Sequence, residues 1–152
     1  IKSFFQEKKN NFELKFLDEQ RALGTAGALH FLKKNKSKTL IVSNCDTVTN
    51  FDYLDMVNFH KKQKNDLTIV ASTKKFTIPY GICEMDKAGN LSKIQEKPNN
   101  YFLINIGIYC LEKKILKLVP NNKHYSFVSL INDAKKKKFA LLNPHGLFYY
   151  KL

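Results

Sequence analysis

Two short strand-like runs, Thr39 to Ser43 (T-L-I-V-S) and Leu67 to Ser72 (L-T-I-V-A-S), bracket a helical stretch from Asp52 to Lys64. Runs this apolar belong inside a sheet covered on both faces, so the chain must be an α/β protein in which helices shield strands. The same reading extends along the chain. Phe12 to Leu17 alternates apolar and polar residues like a strand, and Gly24 to Lys34 is helical. Asn50 or Asp52 caps the helix that follows. Tyr80 to Met85 and Leu91 to Glu96 flank Asp86-Lys87-Ala88-Gly89-Asn90, a hairpin turn. Phe102 to Cys110 is a further strand, Glu112 to Leu118 a short helix stopped near Pro120, and Phe127 to Lys137 another helix. Strands at Phe139 to Leu142 and Phe148 to Lys151 end the series. The expected fold is a three-layer α/β sandwich around a mixed, mostly parallel sheet. One domain spans 1–152, and Asp46 lies at the carboxyl end of a central strand.

Composition narrows the function classes. Hydrophobic content of 43% and twelve Phe are those of a globular chain. No apolar run approaches the roughly 20 residues of a membrane helix, and the N-terminus has no basic-then-apolar secretory pattern. No membrane association and a cytoplasmic location are therefore expected. The net charge of +13 invites a nucleic-acid reading. However, Arg21 is the sole arginine, whereas base and phosphate readers favour the forked guanidinium, and no specific nucleic-acid partner is expected. Lys135 to Lys138 fall where a helix ends, complementing its dipole. Cys45, Cys83 and Cys110 lack zinc spacing and read as reduced core or near-site residues. His30, His60, His124 and His145 have no ligand spacing and read as packing or solvent-facing residues.

Some short segments carry chemistry. In Leu23-Gly24-Thr25-Ala26-Gly27-Ala28-Leu29 the glycines permit close backbone approach to a flat ligand, and equally to a neighbouring element. Asp46 follows a strand directly, the side on which open α/β sheets bind ligands; taken alone it is also an ordinary turn former. With a diphosphate's oxygens, one such acid can hold Mg²⁺, which keeps most of its waters. In Glu96-Lys97-Pro98 the proline biases Lys97 toward an extended backbone, so Glu96 and Lys97 face opposite ways. Solvated edge charges would explain the pair as well.

The order L-G-T-A-G-A-L, N-C-D, P-Y-G-I-C-E, E-K-P and N-x-G-I-Y resembles the sugar-1-phosphate nucleotidyltransferases, or nucleotide-sugar pyrophosphorylases, over about residues 13 to 142. The resemblance implies their nucleotide-diphospho-sugar transferase fold, a Rossmann-like sheet. It also implies nucleotidyl transfer from a nucleoside triphosphate to a sugar 1-phosphate, releasing pyrophosphate, in nucleotide-sugar and surface polysaccharide biosynthesis. On matching positions, Leu23, Gly24 and Thr25 would contact the base. Asp46 would bind Mg²⁺ and the sugar phosphate, and Lys97 would neutralise phosphate charge. Gly81, Glu96 and Asn105 would hold the sugar. The L-G-T-A-G form is most similar to enzymes that use GTP on mannose-type or heptose-type 1-phosphates.

Two parts of the family pattern are not found within these 152 residues. One is the Gly-rich loop with its Arg and Lys that surrounds the triphosphate. The other is a second metal-binding Asp, whose place in Phe148-Tyr149-Tyr150 is taken by a Tyr. The expectation is a fragment of a transferase, inactive as given, or a degenerate relative acting as a nucleotide-sugar or partner-binding module. An open sheet edge would then favour homo-oligomers.

Overall fold

The computed structural model describes residues 2–6, 12–137, 139 and 148–149, the last pair as backbone only. In chain order the elements are helix α1 (Lys2–Gln6), helix α2 (Gly24–Gly27) running into a 3-10 helix (Ala28–Lys34), strand β1 (Thr39–Ser43) and helix α3 (Tyr53–Lys62). Strands β2 (Leu67–Thr77), β3 (Ile82–Met85), β4 (Leu91–Gln95) and β5 (Asn99–Glu112) follow. A second 3-10 helix (Lys113–Leu118), helix α4 (Phe127–Lys136) and strand β6 (Phe148–Tyr149) complete the series. The residues group into two compact units, 1–38 with 112–139 and 39–111 with 140–152.

The second unit holds a four-stranded sheet of order β1-β5-β2-β6 and the β3/β4 hairpin. The sheet is mixed, as expected: β2 runs parallel to β6 and antiparallel to β5. The parallel majority is not found among the described residues, because the long β2/β5 pair is antiparallel. The chain leaves β2, makes the hairpin and returns alongside β2, so no crossover helix reverses its direction. Residues Phe51, Met56, Val70, Ile108 and Cys110 form the core, with Val57 and Ile106 against it. Each such fully buried apolar side chain contributes about 1.5–3 kcal/mol. Helix α3 presents Met56 to this core. It starts where the Asp52 side chain accepts the Leu54 N–H at 2.6 Å, a cap worth about 1 kcal/mol.

β1 departs from the expectation of a fully buried central strand. It is an edge strand of the described sheet, and Ile41 is 45% exposed. Asp46 does stand just past its carboxyl end, in a turn. The hairpin turns as predicted at Gly89 (φ +85), and the Asp86 carboxylate accepts the Ala88 and Asn90 N–H groups, each at 2.9 Å. These bonds, with Asn90 foremost, hold the Asp86 carboxyl below its ordinary range.

The first unit is helical. Leu23, Ala26, Leu29, Ile115, Leu116, Val119, Phe127, Leu130 and Ala134 are its buried apolar residues. Helix α4 begins where the Ser126 hydroxyl accepts the Ser129 N–H at 3.0 Å and ends with Lys135 and Lys136 in its last turn, as the dipole favours. The expected strand from Phe12 to Leu17 is not formed: these residues are exposed and make no ladder. Alternation produces a strand only where a neighbouring strand supplies partners for the backbone. Of the two strands expected last, residues 140–142 and 150–151 lie outside the described residues, whereas Phe148–Tyr149 pairs with Val70 and Ala71 of β2.

Candidate functional site

The structure assigns the predicted site residues to three sets. The first, Leu23 to Thr25, lies in the helical unit, where its own neighbours engage it. Gly24 has φ +75, and a Cβ there would come within 2.9 Å of both the His124 ring and the Tyr125 carbonyl oxygen. Tyr125 laces the segment down: its N–H donates to the Leu23 carbonyl at 2.8 Å, and its carbonyl accepts the Ala26 N–H at 3.0 Å. The Leu23 N–H donates to the Glu19 carboxylate, and the Leu23 side chain is buried. Thr25 caps α4 rather than its own helix, its hydroxyl accepting the Phe127 N–H at 3.0 Å. The Tyr125 hydroxyl in turn donates to Asp133 at 2.5 Å. Burial first, and then Asp133, push its ionisation well above the usual tyrosine range.

The second set joins Pro79-Tyr80-Gly81 to Glu96-Lys97-Pro98. The Lys97 N–H donates to the Tyr80 carbonyl at 3.2 Å and the Ile78 N–H to the Pro98 carbonyl at 3.1 Å. A Cβ on Gly81 would sit 2.9 Å from Glu96 Oε2, so the Glu96 carboxylate lies over the bare Gly81 Cα. Here one expectation is corrected. Lys97 is not extended but left-handed, at φ +45. Pro98 excludes the right-handed helical region for its predecessor. The tight reversal from β4 into β5 then takes the left-handed alternative, at a cost of about 1–2 kcal/mol for a residue with a Cβ. Strain of this kind persists where the surrounding structure enforces it, and it gathers at functional sites.

The third set surrounds Asp46. Past the end of β1, the Asn44 N–H donates to the Gly107 carbonyl at 3.0 Å, and the Thr47 hydroxyl donates to the Ile106 carbonyl at 3.1 Å. Asn105 belongs to the same set: its Oδ1 accepts the Gly107 N–H at 3.0 Å and its Nδ2 donates to the Tyr109 hydroxyl at 2.8 Å. That leaves Asn105 one N–H and one oxygen lone pair for a ligand. Among the described residues no hydrogen bond or ion pair links Asp46 or Asn105 to Gly81, Glu96 or Lys97.

What distinguishes these acids is the absence of partners. Glu13, Asp18, Glu19, Asp52, Glu84, Asp86 and Asp133 each bind a backbone N–H, a hydroxyl or a lysine. Asp46 and Glu96 are exposed and unpaired among the described residues. Asp55 shares that state, and the first turn of α3 accounts for it through the helix dipole. No cluster of three or more metal-ligating side chains occurs among the described residues. A lone unpaired carboxylate still fits Mg²⁺, whose remaining ligands are water and substrate phosphate.

A cavity of about 330 Å³ in the helical unit, lined by Lys33, Lys113, Lys114, Leu116 and Lys117, contains none of the predicted residues. Two of its lysines serve structure. Lys33 Nζ donates to the Val119 carbonyl at 2.7 Å, and Lys113 Nζ donates to the Asn35 carbonyl. Each thereby caps the end of the other's 3-10 helix. Asn44, Thr47 and Tyr109 escaped sequence reasoning. Tyr109 stood within the N-x-G-I-Y pattern without a role, and the hydrogen bonds of Asn44 and Thr47 reach across strands. Among the described residues no helix is long and apolar enough to cross a membrane.

Residues 2–146 match the family model described as Nucleotidyl transferase. The mannose-1-phosphate guanyltransferase of Pichia angusta is 30% identical over 146 residues, which is 89% of this chain and 40% of that one. The mannose-1-phosphate guanylyltransferase catalytic subunit beta of Drosophila melanogaster is 32% identical over 116 residues, 73% of this chain and 31% of its own. Among solved structures, HddC from Yersinia pseudotuberculosis matches with a TM-score of 0.64 at 25% identity, covering 97% of this chain and 63% of that one. Its complex with GMP-PN matches with a TM-score of 0.63 at 26% identity, covering 99% and 64%. The chain thus spans about two fifths or less of the curated relatives' length. With the family model matched over nearly the whole chain and the quoted motifs in its order, the chain belongs to the nucleotidyl transferase family.

Proposed function

We propose that residues 1–152 are part of one nucleotidyltransferase domain and supply the sugar-phosphate side of a reaction joining a sugar 1-phosphate to a nucleotide. The observation that carries this reading is the pair of exposed carboxylates, Asp46 and Glu96, left without partners among the described residues in a chain of this family. Asp46 would hold Mg²⁺ together with substrate phosphate oxygens; bound there, the ion would neutralise phosphate charge. Glu96 accepts hydrogen bonds from sugar hydroxyls, and the remaining Asn105 N–H donates to another. Lys97, exposed and with a left-handed backbone, sets an ammonium against phosphate. A sugar-phosphate oxygen bonds to the α-phosphorus of the nucleotide while the bond to the β-phosphate breaks and pyrophosphate leaves. Positioning and charge neutralisation supply the rate, and no covalent enzyme intermediate is required.

GTP with a mannose-type or heptose-type 1-phosphate is the favoured pair, supported by the curated relatives and by HddC bound to GMP-PN. In the Leu23 to Thr25 segment, Gly24 and the exposed Thr25 would face the base, with the buried Leu23 side chain anchoring them. As a 152-residue polypeptide the chain binds sugar phosphate without ordinary turnover, because no triphosphate loop of G-x-G-T-R type lies within its sequence. The test is pyrophosphate release with Mg²⁺ and a panel of nucleoside triphosphates and sugar 1-phosphates, run on these residues and on any longer chain the reading frame encodes. Turnover by the longer chain that vanishes in Asp46→Asn supports the reading. Turnover by the 152 residues on the order of 1 per second or faster contradicts the inactivity, and turnover indifferent to Asp46→Asn contradicts the assignment.

A further inference from the structure

We propose that Asn44 and Gly107 are positioning residues for Asp46: the bare Cα of Gly107 is the seat for the Asn44 side chain, and that seat sets where the Asp46 carboxylate stands. The inference deepens the role given to Asp46 above and rests on it, but its first test reads the position of Asp46 without turnover.

Asp46 touches nothing that would fix it, since its side chain is exposed and unpaired among the described residues. Its place is therefore decided by its neighbours, Asn44 two residues before and Thr47 one after. Both are anchored on the same two residues of β5, Gly107 and Ile106. Those residues are singular in the sheet. Val70 pairs with Ile108 and Ala71 with Asn105, so Ile106 and Gly107 are the extra residues of a bulge. A bulge re-aims what it carries and is a recurrent device beside active sites.

Gly107 meets two separate demands. Its φ of +78 lies in the left-handed region. Independently, a Cβ there would fall 2.1 Å from Asn44 Nδ2 and 2.7 Å from Asn44 Cγ. No rotation of the amide tip clears an overlap that reaches Cγ, so any side chain at 107 expels the Asn44 side chain and shifts the turn that carries Asp46. Asn105 and Tyr109 brace the seat from below, through the bonds to the Gly107 N–H and to Asn105 Nδ2; Tyr109 is only 4% exposed. One bulge thus ties the proposed metal acid to the proposed sugar-binding amide.

The experiment is ¹⁵N relaxation of the Asp46 amide in the wild type, Asn44→Ala, Gly107→Ala and the double variant. The expected wild-type order parameter is near the rigid value of about 0.85, falling below about 0.6 in Gly107→Ala. Cross-peaks of residues 45–47 should move while Glu96 and Lys97 hold still. Asn44→Ala adds no backbone strain and should loosen Asp46 by less; it keeps the test decisive if Gly107→Ala does not fold. The double variant should fall short of the sum of the single changes, because both act on one contact. An Asp46 amide unchanged in the variants that fold, or strictly additive effects, overturns the proposal. In a chain that turns over, Gly107→Ala should lower kcat about a hundredfold. Absence of turnover in every chain condemns the functional reading, while the relaxation data still decide this one.

Discussion

Gly24 and Gly107 have nearly the same backbone, φ +75 and +78, and each has a neighbour so close that a side chain would collide with it. Their surroundings differ. Around Gly24 the neighbour is a backbone carbonyl and a histidine ring, and the hydrogen bonds of the segment are spent within its own unit, on Glu19, Tyr125 and Phe127. Around Gly107 the neighbour is a side chain two residues from a carboxylate that no described residue holds. The same glycine requirement therefore closes a packing contact in one region and presents a charged group in the other. Glycine in a motif reports close approach, and only the partner reveals whether the approach serves the fold or the chemistry.

Substitutions on both sides break or sharpen that contrast. In a chain that turns over, Asp46→Asn should give the largest change, a loss of about a hundredfold to a thousandfold in transfer with the melting temperature unmoved, since the carboxylate supports no contact among the described residues; it is measured by pyrophosphate release beside thermal unfolding. Gly24→Ala should instead cost stability, about 2 kcal/mol or more from the left-handed backbone and the overlap with the Tyr125 carbonyl. A fall in the denaturant midpoint at constant slope would register it. If Gly24→Ala unfolds nothing yet abolishes nucleotide binding, the contrast drawn here fails.

Smaller effects probe the strained lysine. Lys97→Gly removes a left-handed residue with a Cβ, so the chain should gain up to about 1 kcal/mol while transfer falls. Opposite signs for stability and activity are expected from a residue kept against its backbone preference for its ammonium. Gly81→Ala should move stability by less than about 0.5 kcal/mol, because only the flexible tip of Glu96 must yield. The displaced carboxylate should raise KM for the sugar phosphate in steady-state kinetics.

Much of the fold was legible because local signals agreed with one another. Of the two cap candidates, Asn50 and Asp52, it is Asp52 that caps the α3 helix, and the turn at Asp86 to Asn90 closed the hairpin. The α4 helix ended in lysines. The failures were those of signals that depend on distant partners. Phe12 to Leu17 alternates correctly and finds no strand to pair with, and Thr39 to Ser43 is apolar enough for a central strand but occupies an edge. At Lys97 a rule about one dipeptide yielded to hydrogen bonds with Tyr80 and Ile78, which arrive from another segment to engage Lys97 and Pro98. Two neighbourhoods of the expected site were legible from the motifs: Gly81 lies against Glu96, and the Asp46 turn bonds to Ile106 and Gly107, beside Asn105. The geometry of the site was not, because the bulge at Ile106 and Gly107 arises from register between strands and leaves no trace in the residues on either side.

The most direct test of the claim that the sugar-phosphate side is built on Asp46, Glu96, Lys97 and Asn105 is a titration of the ¹⁵N-labelled chain with mannose 1-phosphate and Mg²⁺, followed by amide chemical shifts. The account predicts saturable movement of the Asp46, Gly81, Glu96, Lys97 and Asn105 cross-peaks, with those of Leu23, Gly24 and Thr25 stationary. Movement confined to Lys33, Lys113 and Lys117, or no movement at all, would contradict it.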